Sequence, residues 1–276
     1  MWHEIKIKLP DEQKEPVSAV LFEYGCIGLT EEPGSLSAYF PEDADVGVVI
    51  GALNSFSGII ADANLILERD WQAEWKERFG PVRAAGLLIC PPWKRCEPDT
   101  GEKLVLLDPG NAFGAGDHVT TLMVLGMLKD WCDGQEGLPD RKFLDLGTGT
   151  GILAIAARTF GVGDITAVDV DNSAVESAAR NFALNGIVGK VKLMPGGIKE
   201  AGRGYDLIAA NIFLEPLIEA MPLMAGALKP GGCAIVSGLL EGQEGMVFGA
   251  AGQAGLSLEK KATESGWVCA LLRARP

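Results

Sequence analysis

Histidine is nearly absent from this 276-residue sequence, which holds only His3 and His118. The six cysteines (Cys26, Cys90, Cys96, Cys132, Cys233 and Cys269) form no CxxC pair. A structural zinc site draws on closely spaced sulfur and imidazole ligands, so no metal is expected. Scattered buried thiols are the expected state of the cysteines. No apolar run approaches the ~18 residues that span a bilayer. The opening stretch MWHEIKIKLPDEQKE is charged from its fourth residue and has no apolar signal core. A cytoplasmic location is therefore the expectation. Positive charge is also scarce: 24 Lys and Arg stand against 37 Asp and Glu, a net −13. Such a chain repels the phosphates of naked nucleic acid, which leaves a small ligand or a basic macromolecule as partner. The deficit is concentrated in residues 1–66, where three lysines face eleven acids, net −8. That excess suits a solvated surface as well as a docking surface.

What is present is ordinary for a globular chain: 47% hydrophobic and 22% charged residues. The length allows one large domain, or a mid-sized one with a small companion. HEIKIKL alternates Ile5, Ile7 and Leu9 with polar residues, a strand period. EPVSAVLFEYG reads as a helix closed by Gly25. CIGLTEE and SLSAYFP read as strands around a Pro33-Gly34 turn, VGVVIGALNSF as a helix and NLILER as a strand. The order β-α-β-β-α-β predicts a small split βαβ (ferredoxin-like) α+β domain over residues 1–67. In DWQAEWKERFGPV, Trp71, Trp75 and Phe79 recur every four residues, which predicts a linker helix with an aromatic face. With the proline-rich loop ICPPWKRCEPDTGEK it makes up a linker over residues 68–100.

Over residues 101–276 strand and helix patterns alternate. KFLDLG, DITAVDVD, KVKLMPGG, YDLIAANI and CAIVSGLL read as strands with helices between them. That alternation predicts an α/β, doubly wound, mainly parallel sheet. LSLEKKATESGWVCALLRAR closes the chain as a hairpin and brings in an antiparallel strand. Asn172 or Ser173 is expected to cap the helix NSAVESAARNFALNG, and Asp117 the helix VTTLMVLGMLKDW.

The chemical signal is FLDLGTGTGILAIAA. Gly147, Gly149 and Gly151 follow a buried strand and open a helix, and Asp169 ends the next strand eighteen residues after Gly151. Glycine lets the backbone turn tightly and approach a ligand, and an acid at that distance suits ribose hydroxyls. The spacing is G-x-G-x-G, with Ile152 where a dinucleotide fingerprint has glycine or alanine. Asp145, two residues before the first glycine, would repel a pyrophosphate but tolerates an ammonium or sulfonium.

LDLGTGTG with AVDVD resembles the class I S-adenosylmethionine-dependent methyltransferases. DPGNAFGAGDHVTT, together with DWQAEWKERF, ICPPW and AANIFLEPL, is similar to the ribosomal protein L11 methyltransferase family, and the likeness covers nearly the whole chain. The resemblance implies transfer of methyl groups from S-adenosyl-L-methionine to lysine side-chain and/or N-terminal amines of ribosomal protein L11, with residues 1–67 recognising that substrate. It implies a cofactor site of Asp145, Gly147, Thr148, Gly149, Gly151, Asp169 and Val170, reached from upstream by Thr120 and Thr121. It puts Asn211 beside the methyl group and among the cofactor-binding residues. The family's GTG is here Gly114-Ala115-Gly116, which removes a threonine hydroxyl.

An asparagine oxygen accepts a hydrogen bond from an amine without adding charge. Read from the residues alone, Asn211 is equally a strand-end capping residue. NIFL in place of NPPY points away from planar nitrogen acceptors. His118 is expected to fix its loop by hydrogen bonds, and Phe113 either lines the acceptor channel or pins the loop. The alternatives are a class I methyltransferase acting on another protein or a small-molecule amine, and a binding module without turnover.

Overall fold

The computed structural model describes residues 2–54, 56, 58–66, 80–109 and 117–275. The chain divides into two compact units, Met1–Phe79 and Gly80–Pro276. The aromatic stripe Trp71, Trp75 and Phe79 lies outside the described residues, as do Phe113 and Gly114-Ala115-Gly116.

The first unit runs β1 (Trp2–Lys8), α1 (Lys14–Glu23), β2 (Gly28–Glu32), β3 (Ser35–Pro41), α2 (Val46–Leu53) and β4 (Ile60–Ile66). Its sheet has the order β2-β3-β1-β4, antiparallel throughout. This is the expected split βαβ arrangement, with β3 between β1 and β2. Alternation explains its core: Ile5 and Ile7 of β1 and Leu36, Ala38 and Phe40 of β3 share one face. They pack with Val17 and Leu21 of α1 and Val49 and Leu53 of α2.

The second unit opens with a three-stranded sheet of β5 (Val82–Ala84), β6 (Leu87–Cys90) and β7 (Lys103–Leu106). Two of these strands stand in the stretch read as linker and loop, because runs of three or four residues are too short to show a period. The cysteine expectation is corrected here. Cys90, at the end of β6, is disulfide-bonded to Cys96. The other four cysteines are buried and free.

After β7 come α3 (Val119–Asp133), β8 (Lys142–Leu146), α4 (Ile152–Phe160), β9 (Asp164–Asp169), α5 (Asn172–Leu184) and β10 (Lys192–Pro195). The chain continues through α6 (Ile198–Ala201), β11 (Tyr205–Asn211), α7 (Leu214–Ala227), β12 (Leu228–Leu240), α8 (Glu244–Gln253), β13 (Leu256–Glu264) and β14 (Trp267–Ala274). The strands form one sheet, β10-β9-β8-β11-β12-β14-β13, parallel from β10 to β12 and antiparallel at β14. Both faces of the central strands are covered, so β8 and β11 are buried and mostly apolar along nearly their whole length. Phe143, Leu207, Ile235 and Cys269 face α3 and α4. Their neighbours Leu144, Ile208, Val236 and Val268 face α7 and α8. The doubly wound sheet and its closing hairpin are as the sequence predicts. Among the described residues, no helix is long and apolar enough to cross a membrane.

Candidate active site

Strand order reverses between β8 and β11: β9 and β10 extend the sheet on one side, β12 on the other. A crevice opens at the carboxyl ends of the strands at such a point, and ligands bind there. The turn from Gly147 to Gly151 leaves β8 into this crevice and starts α4. Gly147 and Gly151 have φ of +73° and +85°, a region costly for any residue with a Cβ. Space excludes a side chain as well. A Cβ on Gly147 would lie 2.3 Å from Ile212 Cγ2, and one on Gly151 2.6 Å from Phe182 Cε1. The amides of Gly147 and Thr148 both donate to Val168 O at 2.9 Å, which ties the turn to β9.

Asp145 is fully buried. Its Oδ2 accepts from Thr148 Oγ1 at 2.7 Å and from the Ala154 amide at 3.0 Å. Its Oδ1 is buried with no hydrogen-bond partner. Burial pushes the carboxyl up to about 7, against the pull of those two hydrogen bonds and with a small push from Asp169. In the folded protein Asp145 therefore holds a proton up to about pH 7, whereas its ordinary value is 3.8. The folded state binds more protons than the unfolded chain across this window, so its contribution to stability falls as pH rises through it. Asp145→Asn removes this dependence. The stability gap between parent and variant is expected to move by on the order of 2 kcal/mol between pH 5 and pH 8, in the parent's favour at the lower pH. Denaturant titrations at the two pH values measure it, and an unchanged gap refutes the assignment.

Asp169 closes β9 at the neighbouring strand end. Its Oδ2 accepts from the Gly149 amide at 2.9 Å and its Oδ1 from the Asp171 amide at 3.0 Å. An ionised carboxylate has about four acceptor positions, so both oxygens can take a further donor. Val170 follows, 83% exposed. An apolar side chain this open at a crevice suits contact with a flat ligand surface. The cap of α5 is Asp171, not Asn172 or Ser173: its carboxylate accepts from Ser173 N and Oγ, both at 2.8 Å. The helix starts one residue later than the cap, so the extended residue before it does the capping.

The first turn of α3 forms the other wall. Thr120 and Thr121 are both buried. The cap here is His118, not Asp117. His118 is extended (φ −71°, ψ 137°) and its Nδ1 accepts from the Thr120 amide at 3.3 Å. Asp117 is exposed and one residue too early. His118 Nδ1 also lies 2.8 Å from Thr120 Oγ1, and the ring stands edge-on to Trp267 at 5.1 Å between centroids. These contacts make His118 the cap of α3, while the loop it was expected to fix lies outside the described residues. His118→Ala is expected to cost about 1 kcal/mol of stability and His118→Asn only a few tenths. Unfolding midpoints of the two variants check this, and equal midpoints would refute the cap.

Asn211 ends β11 next to the glycine turn. Its Nδ2 donates to Thr121 Oγ1 at 3.4 Å, while its Oδ1 is buried with no partner. The unpartnered oxygens of Asp145 and Asn211 thus stand near the carboxyl ends of the adjacent strands β8 and β11. A buried oxygen without a donor costs free energy unless a ligand supplies one.

One residue of the site was not foreseen. Asn181 of α5 is fully buried. It donates to Asp108 O and Thr150 O, each at 2.9 Å, and accepts from the Asp108 amide at 2.8 Å. One turn later Asn185 makes the same pair of bonds to Leu106. The repeat at i, i+4 in NFALN was the visible signal. It stitches the start of DPGNAFGAGDHVTT to the glycine turn.

A doubly wound sheet of this order, with a glycine turn after its central strand β8 and acids ending β8 and β9, defines a class I methyltransferase. The chain belongs to the ribosomal protein L11 methyltransferase family. The family described as "Ribosomal protein L11 methyltransferase (PrmA)" matches residues 1–275. Proteins named ribosomal protein L11 methyltransferase from Pelotomaculum thermopropionicum and Trichlorobacter lovleyi are 33% and 32% identical to it. Those alignments cover 99% and 100% of this chain and 98% and 99% of the relatives. The crystal structure of a ribosomal protein L11 methylase from Lactobacillus delbrueckii subsp. bulgaricus matches with a TM-score of 0.60 at 26% identity, covering 71% of this chain and 96% of that one. Family membership implies S-adenosylmethionine as the methyl donor.

Proposed function

We propose that this protein transfers methyl groups from S-adenosylmethionine to lysine side-chain or N-terminal amines of ribosomal protein L11. The observation that carries the amine specificity is the buried, unpartnered Oδ1 of Asn211. The cofactor fits the residues present. The cofactor's positive charge favours the ionised form of Asp145, whose Oδ1 has no partner, and the left-handed backbone at Gly147, Gly149 and Gly151 turns the chain tightly at the strand end. In this reading Gly147, Thr148, Gly149 and Gly151 hold the methionine moiety, Asp169 the ribose and Val170 the nucleoside face. Thr120 and Thr121 close the site from α3. When bound, the cofactor supplies a methyl group activated by its sulfonium.

The chain's own residues then have to align the amine and keep it neutral. A lysine of pKa about 10.4 is nearly all ammonium at pH 7, so its neutral form costs roughly 4–5 kcal/mol. The proton leaves to solvent before transfer, and a desolvated site favours the neutral amine. Asn211 Oδ1 accepts one amine N–H and points the lone pair. Its Nδ2 bond to Thr121 Oγ1 holds the amide plane for this. Alignment of this kind contributes on the order of 7–11 kcal/mol to a bimolecular step. Phe113 is proposed to line the acceptor channel.

Mass spectrometry of ribosomal protein L11 after incubation with enzyme and isotopically labelled cofactor tests the substrate and the amine. Cofactor binding without label on L11 overturns the substrate, and label elsewhere than on amines overturns the chemistry. The N-terminal unit is proposed to recognise the basic substrate. Glu31 and Glu32 are exposed on β2. Reversing both to lysine is expected to raise KM for L11 about fivefold at low salt with kcat unchanged, as loss of surface charge complementarity does. A KM insensitive to the change and to salt rules out the docking role.

A further inference from the structure

The proline-rich loop ICPPWKRCEPDTGEK is not used by the proposed chemistry, yet it holds the paired cysteines. Cys90 is fully buried and Cys96 is partly exposed, with Cα atoms 6.3 Å apart. That separation lies within the usual disulfide range of about 4.4–6.8 Å. The reduced state is accommodated too. Cys90 Sγ lies 3.5 Å from the carbonyl oxygens of Pro91 and Lys94, which stand where they can accept an S–H once the bond is reduced. The remaining cysteines, Cys26, Cys132, Cys233 and Cys269, are all buried. Burial pushes the Cys132 and Cys269 thiols up to about 12, which leaves almost no thiolate there.

We propose that Cys90 and Cys96 are a reversible thiol–disulfide modification site, with Cys96 as the entry thiol and Cys90 as the resolving one. The partner is a low-molecular-weight disulfide. The Cys96 thiolate attacks one sulfur of the small disulfide, its S–S bond breaks, and the first small thiol leaves with a proton. The Cys90 sulfur then attacks Cys96 in the mixed disulfide and expels the second small thiol, which takes the Cys90 proton. Two cysteine thiols are oxidised to one disulfide, and one small disulfide is reduced to two thiols. The bond closes residues 90–96 into a loop at the end of β6. The Cys90 carbonyl accepts from the Leu107 amide at 2.9 Å, immediately before Asp108. The site therefore braces the strand from which DPGNAFGAGDHVTT departs.

The test uses the full chain, oxidised glutathione, alkylation and trypsin. Lys94 and Arg95 lie between the two cysteines, so cleavage separates residues 84–94 from 96–103. Treated native protein is expected to give these two peptides joined, at least about tenfold faster than any buried cysteine is modified, because exchange follows thiolate access. Dithiothreitol should release them. In Cys90→Ser, Cys96 is expected to retain a glutathione adduct. In Cys96→Ser, Cys90 is expected to stay unmodified. Absence of the joined peptides in the parent overturns the pair, independently of how either variant folds. An adduct on Cys90 in Cys96→Ser forming as fast as on Cys96 in Cys90→Ser overturns the order of attack.

Discussion

Asn211→Ala is expected to lower kcat for L11 methylation by about 10²–10³-fold, the usual loss when a preorganised polar group at the reacting centre is removed. Cofactor affinity should stay within about threefold of the parent, since the loss falls on the transition state and not on ground-state binding. The reason is the asymmetry of this amide. Nδ2 is committed to Thr121 Oγ1, and the buried Oδ1 has no partner. A side chain that only capped the strand end would have both ends satisfied within the protein. Asn211→Asp probes the same point with opposite charge logic. It keeps an acceptor but favours the ammonium form of the substrate, so it should leave KM near the parent's without restoring kcat. Single-turnover rates with calorimetric cofactor titration separate the two effects. A normal rate in Asn211→Ala would show that the oxygen takes no part.

The second large effect is on stability. Asn181→Ala removes three hydrogen bonds that join Asp108 and Thr150 to the buried side chain. At about 1 kcal/mol each, plus the void left behind, the cost is on the order of 3–4 kcal/mol. For a unit of this size that lowers the melting temperature by on the order of 10 °C. Cofactor affinity should fall as well, because the same side chain holds the glycine turn and the start of the upstream segment in register. Asn185→Ala serves as the comparison. It loses the bonds to Leu106 but none to the glycine turn, so it should destabilise without the matching loss of affinity. Thermal unfolding and cofactor titration of both variants decide this. A melting temperature within about 2 °C of the parent for Asn181→Ala would remove Asn181 from the site.

The N-terminal antiparallel sheet and the doubly wound parallel sheet were legible from period. Ile5, Ile7 and Leu9 alternate because one face of β1 is solvated. LDL and LIAAN do not alternate because β8 and β11 are covered on both faces. The glycine turn could be read because G-x-G-x-G after a buried strand has few other uses. Caps were read one or two residues off, as Asp117 for His118 and as Asn172 or Ser173 for Asp171. A cap depends on where the backbone turns extended, and several polar neighbours compete for the role. The strands β5 and β6 were too short to carry a period at all.

By itself the sequence determined the N-terminal split βαβ pattern, the doubly wound sheet, the glycine turn and the acids that flank it. Each of these rests on local periodicity or on residue chemistry at fixed spacing. Only the tertiary structure decided which polar groups have partners. It brought Asn181 to Asp108 and Thr150 across 73 and 31 residues of chain, and Asn211 to Thr121 across 90. It also set Cys96 against Cys90, and left Asp145 Oδ1 and Asn211 Oδ1 buried without donors. Satisfaction of a buried polar atom is a property of its whole surroundings, and no pattern along the chain encodes it.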